Sequence, residues 1–292
     1  MNLIVQGDDV STPDLKALCR IAGGAAIERV SGEAFRITKA DPAARARVAA
    51  HCANAKLDWG FVAEGRALAD FALLAMDMDS TLISIECIDE IADFAGRKAE
   101  VAAVTAAAMR GEIDWPESLR QRVAALAGLD AGCLESVYAG RLRLNRGAER
   151  LIAAARRAGV KTLLVSGGFT YFTDRVRERL AIDHAYSNVL VVEDGKLAGR
   201  VTGPLVDAQG KAGHVARLKR EMGIARERVL AIGDGANDLA MLAEAGTSIA
   251  YHAKPVVREK ADYALDYAGL DGVLSLFPES GSSSLPRRGS GK

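Results

Sequence analysis

The stretch LLAMDMDST at residues 73–81 decides the fold, because an apolar run ends there in two aspartates separated by one residue. A short apolar run of this kind predicts a buried strand, which would place Asp77 and Asp79 at its carboxyl end. Ionised carboxylates that lie close together repel each other and need a nearby cation. In open parallel sheets, ligands bind at the carboxyl edge. The stretch therefore predicts an α/β fold with an acidic site at the edge of its sheet.

A second motif follows the apolar run TLLV, where Ser166 precedes Gly167 and Gly168. A glycine-containing turn between a strand and a helix suits phosphate, because backbone N–H groups and the helix dipole point toward the anion. Taken alone, Ser166 fits a helix N-cap equally well. Lys211 is an ordinary surface lysine by default. It is predicted to meet the phosphate because the site offers no other fixed cation.

A third motif, GDGAND at residues 233–238, follows the apolar run VLAI. An Asp-Gly turn would explain the glycines but not the acidic and amide side chains clustered beside them. Asp234 lies nearest the strand end and is the better metal ligand, while Asp238 would lie behind it. Asn237 is close enough to contact substrate or to order the loop. A hard divalent cation, most simply Mg²⁺, suits such a set of oxygen ligands.

Paired carboxylates at a phosphate-binding edge indicate phosphoryl transfer. One of the two strand-end aspartates would attack phosphorus, while the other would protonate the leaving alkoxide and then deprotonate water. The D-x-D pattern alone also fits a loop cap or a turn. Its place after a strand, and its acidic partners at Asp234 and Asp238, favour catalysis. We therefore expect a covalent aspartyl-phosphate intermediate.

The chain is predicted to contain a small unit, a core and a tail. Residues 1–70 form the predicted N-terminal α+β domain, whose order resembles a shortened ACT-like βαββα unit. Residues 71–277 alternate strands and helices, which predicts a Rossmann-like parallel-sheet core. Residues at about 84–147 read almost entirely as helix, so we expect a helical cap inserted after the first core strand. Residues 278–292 are rich in Ser, Gly and Pro and are predicted to be a disordered tail.

Composition narrows the class of protein and of partner. Lys plus Arg equals Asp plus Glu at 38 each, so no global field favours nucleic acid. The four cysteines are scattered without a CxxC spacing, which favours reduced structural thiols. The N-terminus has no signal-peptide pattern, and no apolar run approaches the ~20 residues of a membrane span. These features predict a soluble cytoplasmic protein.

The order of these motifs resembles that of the haloacid-dehalogenase-like (HAD) phosphatases. Longer segments resemble the phosphoserine phosphatase family within that superfamily, over about residues 72–277. The segments are DMDSTLISIECIDEIA, SLRQRVA, VSGGFT, EDGKLAGRVTG, IGDGANDLAML and HAKPVVREKAD. The chain departs from the family at Trp115, where many relatives carry Phe, and its N-terminal region is shorter than full regulatory domains, which puts serine feedback in doubt.

The resemblance implies a role for each site residue. Asp77 would be the nucleophile and Asp79 the general acid/base. Mg²⁺ would be held by Asp77, the Asp79 main chain and Asp234, with Asp238 in support. Phosphate would be bound by Ser166 and Lys211, and the seryl pocket would be shaped by Glu86, Arg122, Gly167 and Asn237.

The function predicted in this way is Mg²⁺-dependent hydrolysis of O-phosphoserine, the final step of phosphorylated serine biosynthesis. Two alternatives stay open: a related phosphatase or phosphotransferase that acts on another small phosphomonoester, and a non-catalytic serine-sensing module. His214 and His252 are expected to be structural, and Arg120 is expected to face solvent. The sequence predicts no particular oligomeric state, although it is compatible with a homodimer.

Overall fold

The structure, a computed structural model, describes residues 1–279 of the 292-residue chain. From residue 280 the predicted disordered tail lies outside the described residues. The first two residues of that predicted segment contact the rest of the protein. The Pro278 carbonyl accepts a hydrogen bond from the Leu68 N–H at 3.0 Å. Glu279 forms an ion pair with Arg157 at 2.8 Å.

The N-terminal region forms a four-stranded antiparallel sheet with two helices. Its elements are β1 (Asn2–Gln6), α1 (Thr12–Ile21), β2 (Ala26–Arg29), β3 (Ala34–Thr38), α2 (Arg45–Ala55) and β4 (Asp58–Val62). The strand order is β2-β3-β1-β4, which is the ferredoxin-like arrangement of a βαββαβ unit. The predicted βαββα order is therefore wrong at its end, because it omits β4.

The omitted strand is short and contains a glycine in its middle, so its sequence DWGFV gives a weak strand signal. The structure explains the glycine. A Cβ atom on Gly60 would lie 2.6 Å from the ring of Tyr263, so only glycine lets this strand approach the core so closely. The Asp58 carboxylate also accepts hydrogen bonds from the N–H groups of Asp266, Tyr267 and Ala268, at 2.7–3.0 Å. These contacts hold the N-terminal sheet against the core.

The core is a seven-stranded sheet in the order β11-β10-β9-β5-β6-β7-β8. Its strands are β5 (Leu73–Met76), β6 (Lys161–Phe169), β7 (His184–Glu193), β8 (Lys196–Thr202), β9 (Val229–Gly233), β10 (Thr247–Tyr251) and β11 (Tyr263–Leu265). All neighbouring strands are parallel except β7 and β8, which form an antiparallel hairpin. Every residue of β5 and β9 is buried. Because these two strands are adjacent and parallel, their carboxyl ends meet at one edge of the sheet.

The helices that follow the N-terminal region pack around this sheet or form the segment inserted into it. They are α3 (Cys87–Phe94), α4 (Lys98–Met109), α5 (Trp115–Ala124), α6 (Gly132–Gly140), α7 (Ala148–Arg157), α8 (Thr170–Leu180), α9 (Ala208–Met222), α10 (Leu239–Ala243), α11 (Pro255–Arg258) and α12 (Val273–Leu276). Helices α3–α6 lie between β5 and β6 in the chain, and we call them the cap. None of the helices within residues 1–279 is long and apolar enough to cross a membrane.

The two chain segments that join the cap to the core lie side by side. Ile83 and Leu144 form an isolated antiparallel bridge, and the Ser84 N–H donates to the Arg143 carbonyl at 2.9 Å. The predicted α/β fold class is confirmed, with its parallel-sheet core, its helical insert and its smaller N-terminal unit. The domain boundaries at residues 70, 84, 147 and 277 stay predictions.

Candidate active site

A buried lysine links two carboxylates at the carboxyl edge of the sheet. Asp77 follows β5 directly, and Lys211 lies in the first turn of α9. The Lys211 Nζ atom donates to Asp77 Oδ1 at 2.6 Å and to Asp238 Oδ1 at 2.7 Å. Lys211 is only 1% exposed, so it is not the surface lysine that its residue type suggests by default. Its position gives the site a fixed cation beside the predicted nucleophile.

The charges of this group are strongly coupled. Burial raises the pKa of Asp77 well above its ordinary value, and the nearby Asp238 raises it further, while Lys211 opposes both effects. Burial alone would lower the pKa of Lys211, but the charges of Asp77 and Asp238 reverse that shift and raise it. Lys211 is therefore charged, and one lysine is shared by several carboxylates. The remaining negative charge favours a second cation at this place.

Asp234 completes an acidic cluster with these residues. Carboxylate oxygens of Asp77, Asp234 and Asp238 all lie within 4.8 Å of one another. The Thr81 hydroxyl donates to Asp234 Oδ1 at 3.2 Å, and burial raises the pKa of Asp234 to about 6. Asp238 is turned toward the protein, since its Oδ2 atom accepts the N–H groups of Asp234 and Gly235 at 3.0 Å. Asp77 and Asp234 are thus the carboxylates most available to a metal ion, with Asp238 behind them.

Asp79 lies near this cluster, but its carboxylate makes different contacts. Its Oδ1 atom accepts the Cys87 N–H at 2.9 Å, at the first residue of cap helix α3. Its Oδ2 atom accepts the Ser166 hydroxyl at 2.9 Å. The same hydroxyl accepts the Gly168 N–H at 2.8 Å, and a Cβ atom on Gly168 would lie 2.8 Å from Asp79 Oδ2. The turn after β6 therefore holds the Asp79 side chain, and its glycine gives that carboxylate room.

Glu86 lies at the start of the cap, where it immediately precedes α3. The Ser80 hydroxyl donates to Glu86 Oε1 at 2.7 Å. Burial and the neighbouring charge of Asp79 raise the pKa of Glu86 to about 7. The Glu86 side chain is exposed to the cleft and lies near the negative charge of Asp79, so a cation bound there would favour its ionised form.

Arg122 lies on cap helix α5 and faces the same cleft. Burial lowers the pKa of its guanidinium group, although the nearby charges of Asp89 and Glu86 act in the opposite direction. Its Nε atom makes a long contact of 3.4 Å with the Ser118 carbonyl. Among residues 1–279, no carboxylate lies within the 4.0 Å of an ion pair with Arg122. Its terminal NH₂ groups have no carboxylate partner among these residues and can therefore bind an anion.

A cavity of about 490 Å³ lies between the core edge and the cap. A Cβ atom on Gly167 would lie 2.9 Å from the Trp115 ring, so this glycine lets the cap lie against the turn after β6. The cavity brings together most of the residues predicted from sequence. Those that line it are Asp77, Asp79, Glu86, Arg122, Gly167, Lys211, Asp234 and Asn237.

Two predicted site residues lie behind the wall of the cavity. Ser166 and Asp238 are both 0% exposed and contact Asp79 and Lys211, respectively. Direct contact of Ser166 with phosphate stays a prediction. The sequence interpretation missed Asp89 and Lys254, which also line the cavity. Lys254 follows β10, so the rule that polar residues after core strands reach the site would have found it.

Three residues that the sequence does not assign to the site lie outside this cavity. His214 stacks on Tyr186 with ring centroids 4.1 Å apart, and burial lowers its pKa. His252 is exposed. Arg120 is also exposed and pairs with Glu117 at 3.3 Å. Arg120 therefore lies at the surface, as expected, whereas a structural role for His214 and His252 stays a prediction.

Known proteins are similar to this chain in sequence and in fold. Residues 74–243 match the haloacid dehalogenase-like hydrolase family, and residues 3–48 match a domain of unknown function. A phosphoserine phosphatase of a Polaromonas species is 57% identical over 214 residues, which cover 72% of this chain and 91% of the relative. The unliganded structure of a probable phosphoserine phosphatase from Vibrio cholerae is 36% identical with a TM-score of 0.82, covering 94% of this chain and 85% of that one. A structure described as a phospho-aspartyl intermediate analogue of phosphoserine phosphatase is 38% identical with a TM-score of 0.66, covering 71% of this chain and 99% of that one.

Proposed function

Because the chain belongs to the haloacid dehalogenase-like hydrolases and, within them, to the phosphoserine phosphatase family, we propose that it hydrolyses O-phosphoserine to serine and phosphate. The observation that supports this substrate most directly is the pairing of Glu86 and Arg122 in one cavity with Asp77. O-phosphoserine has an ammonium group and a carboxylate beside its phosphate. A selective pocket therefore needs one anion and one cation away from the reacting centre.

The first step of the proposed reaction is attack on phosphorus by Asp77. A bond forms between an Asp77 carboxylate oxygen and phosphorus, and the bond between phosphorus and the serine oxygen breaks. Lys211 fixes the carboxylate through Oδ1 and supplies positive charge beside the incoming phosphate. Such positioning and charge stabilisation account for most of the catalysis in phosphoryl transfer. The product of this step is an aspartyl-phosphate and free serine.

Asp79 is the proposed general acid and base. It gives a proton to the leaving serine oxygen, and in the second step it takes a proton from water as the water attacks the phosphorus. That attack breaks the bond to Asp77 and releases phosphate. The Ser166 hydroxyl and the Cys87 N–H hold the two Asp79 oxygens, so the carboxylate keeps one orientation. One of these contacts comes from the core and the other from the start of the cap.

The acidic cluster fits Mg²⁺, because its ligand atoms are carboxylate oxygens and it contains neither sulfur nor imidazole. Asp77 and Asp234 would hold the ion together with the Asp79 main chain, and Asp238 would support them. When bound, the ion would offset the negative charge that accumulates as a phosphate dianion meets these carboxylates. We propose this dependence on Mg²⁺, a place as the last step of phosphorylated serine biosynthesis, and a cytoplasmic location.

In the proposed substrate complex, Glu86 binds the ammonium group and Arg122 binds the carboxylate. Arg122 presents two parallel N–H donors, a geometry that matches a carboxylate better than a lysine would. Trp115 also lines the cavity and lies against Gly167 in the turn after β6. Asn237 and Lys254 complete the wall next to the acidic cluster.

Steady-state kinetics with O-phosphoserine and Mg²⁺ test the proposal. We expect kcat/KM for O-phosphoserine to exceed that for p-nitrophenyl phosphate and for phosphomonoesters that lack an α-amino acid. A higher kcat/KM for another phosphomonoester would show that the proposed substrate is wrong, although the proposed phosphoryl transfer would stand. Serine binding without turnover of any phosphomonoester would favour the non-catalytic alternative, and it would leave the pairing of Asp77 with Asp79 unexplained.

A further inference from the structure

Asn145 connects the returning cap segment to the loop that follows the nucleophile. Its Nδ2 atom donates to the Thr81 carbonyl at 2.7 Å and to the Ile83 carbonyl at 3.1 Å, and it lies 3.5 Å from the Ser80 carbonyl. Its backbone N–H donates to the Leu82 carbonyl at 3.0 Å. Thr81 and Ile83 are both 0% exposed, so without Asn145 their carbonyl groups would lose this partner in a buried place.

The loop held by Asn145 contains an unfavourable backbone conformation. Ser80 has a φ of 58°, in the left-handed region that is unfavourable for residues other than glycine. This conformation coincides with the contact of the Ser80 hydroxyl with Glu86 Oε1 at 2.7 Å. A strained residue persists only where its surroundings hold it in place. Asn145 supplies part of that restraint from a segment more than sixty residues away in the chain.

We propose that Asn145 and Ser80 are positioning residues for substrate recognition, because Asn145 holds the loop in which Ser80 orients Glu86. The inference rests on the proposed function, in which Glu86 binds the substrate ammonium group. Neither residue lines the cavity, so neither touches the substrate. Both act through Glu86, and their effect is confined to substrates that have an ammonium group.

The test compares O-phosphoserine with p-nitrophenyl phosphate, which lacks that group, in the full-length Mg²⁺-loaded enzyme. We expect Asn145→Ala and Ser80→Ala each to lower kcat/KM for O-phosphoserine by about ten-fold or more, the effect of one hydrogen bond to a charged group. The rise in KM should account for most of that loss. Activity on p-nitrophenyl phosphate should change by less than about three-fold, since Asp77 and Asp79 keep their contacts.

Arg143→Ala is the matched control on the same returning segment. The Arg143 side chain donates only to the carbonyls of Ala139, Gly140 and Leu142, among the contacts within residues 1–279. This variant should keep the substrate preference of the parent enzyme. Should Asn145→Ala fail to fold, Ser80→Ala still tests the inference, because it removes only a hydroxyl group that is in contact with Glu86.

A double-mutant cycle with Glu86→Gln decides between positioning and general support of the fold. In the Glu86→Gln background, Asn145→Ala and Ser80→Ala should cause no further loss of preference for O-phosphoserine. An equal loss on both substrates, or a further loss in the Glu86→Gln background, would overturn the inference. If the parent enzyme itself shows no preference for O-phosphoserine, the proposed function fails instead. A different result would make only this inference fail. In that case the parent enzyme prefers O-phosphoserine, Glu86→Gln removes the preference, and Asn145→Ala still keeps it.

Discussion

Replacing Lys211 with methionine should destabilise the protein far more than the loss of an ordinary surface lysine. Lys211 is 1% exposed and binds both Asp77 and Asp238, which are 4% and 0% exposed. Methionine has a similar length but no charge, so the substitution leaves two buried carboxylates without their cation. Removing one partner of a buried ion pair costs about 3–5 kcal/mol, since the charge that remains is not compensated.

The pH dependence of this loss has a defined sign. In the variant, the pKa of Asp77 lies even higher above its ordinary value, because the opposing effect of Lys211 is gone. A raised carboxyl pKa means that the folded state binds more protons than the unfolded state, so stability falls as pH rises. The stability difference between the variant and the parent should therefore be smaller at pH 6 than at pH 8. Saturating Mg²⁺ should recover part of the loss.

Thermal unfolding in metal-free buffer measures the effect. For a chain of this size, a loss of about 3–5 kcal/mol lowers Tm by roughly 5–8 °C. Lys161→Met is the matched control, because Lys161 forms an ion pair with Asp183 at the similar distance of 2.7 Å but is 56% exposed in its side chain. Exposed pairs contribute about 0–1 kcal/mol, so the control should shift Tm by no more than a few degrees. Equal shifts for the two variants would refute the reasoning from burial.

Other consequences can be measured separately. In metal-free protein, Glu86→Gln should make Tm fall less steeply as pH rises. The pKa of Glu86 is raised from 4.5 to about 7, so its ionisation between these pH values destabilises the folded state. An unchanged slope of Tm against pH would contradict the raised pKa. Asp58→Ala should lower the free energy of unfolding by about 3 kcal/mol, because three backbone N–H groups lose their acceptor. Turnover at room temperature should persist. A loss of turnover in the folded variant would show that the N-terminal sheet affects catalysis. Asp79→Asn should slow turnover by about 10²–10⁴-fold with a smaller effect on substrate binding, and parent-like release of both serine and phosphate would reject its role. Strong chelator should abolish activity and Mg²⁺ should restore it, whereas Asp234→Ala should resemble the chelated enzyme even with Mg²⁺ present.

The edge of the sheet was predictable from sequence because local patterns determine it. Apolar runs that end in Asp77, Ser166 and Asp234 predict strands, and parallel strands bring their carboxyl ends to one edge. Burial follows from the same patterns, since β5 and β9 are apolar throughout. Lys254 also follows a core strand, but the sequence analysis did not assign it to the site because lysine is usually a surface residue.

Contacts between distant segments were not predictable in this way. Asn145 has no local sign of its role, because its three carbonyl partners come from the other segment that joins the cap to the core. The orientation of Asp79 toward Ser166 and Cys87 also depends on how the cap packs on the core. Strand β4 was missed because Gly60 weakens its local signal, while its pairing with β1 and its contact with Tyr263 stabilise it in the fold. In each case the determinant is three-dimensional packing.

Asp77 is expected to form a covalent bond to phosphorus during hydrolysis of O-phosphoserine. Borohydride reduces an aspartyl-phosphate to homoserine, so peptide mapping after rapid quenching of the turning-over enzyme identifies the modified residue. We expect homoserine at residue 77, none when substrate is omitted, and none in the Asp77→Asn variant. Homoserine at a different aspartate, or normal turnover of O-phosphoserine by the Asp77→Asn variant, would contradict it.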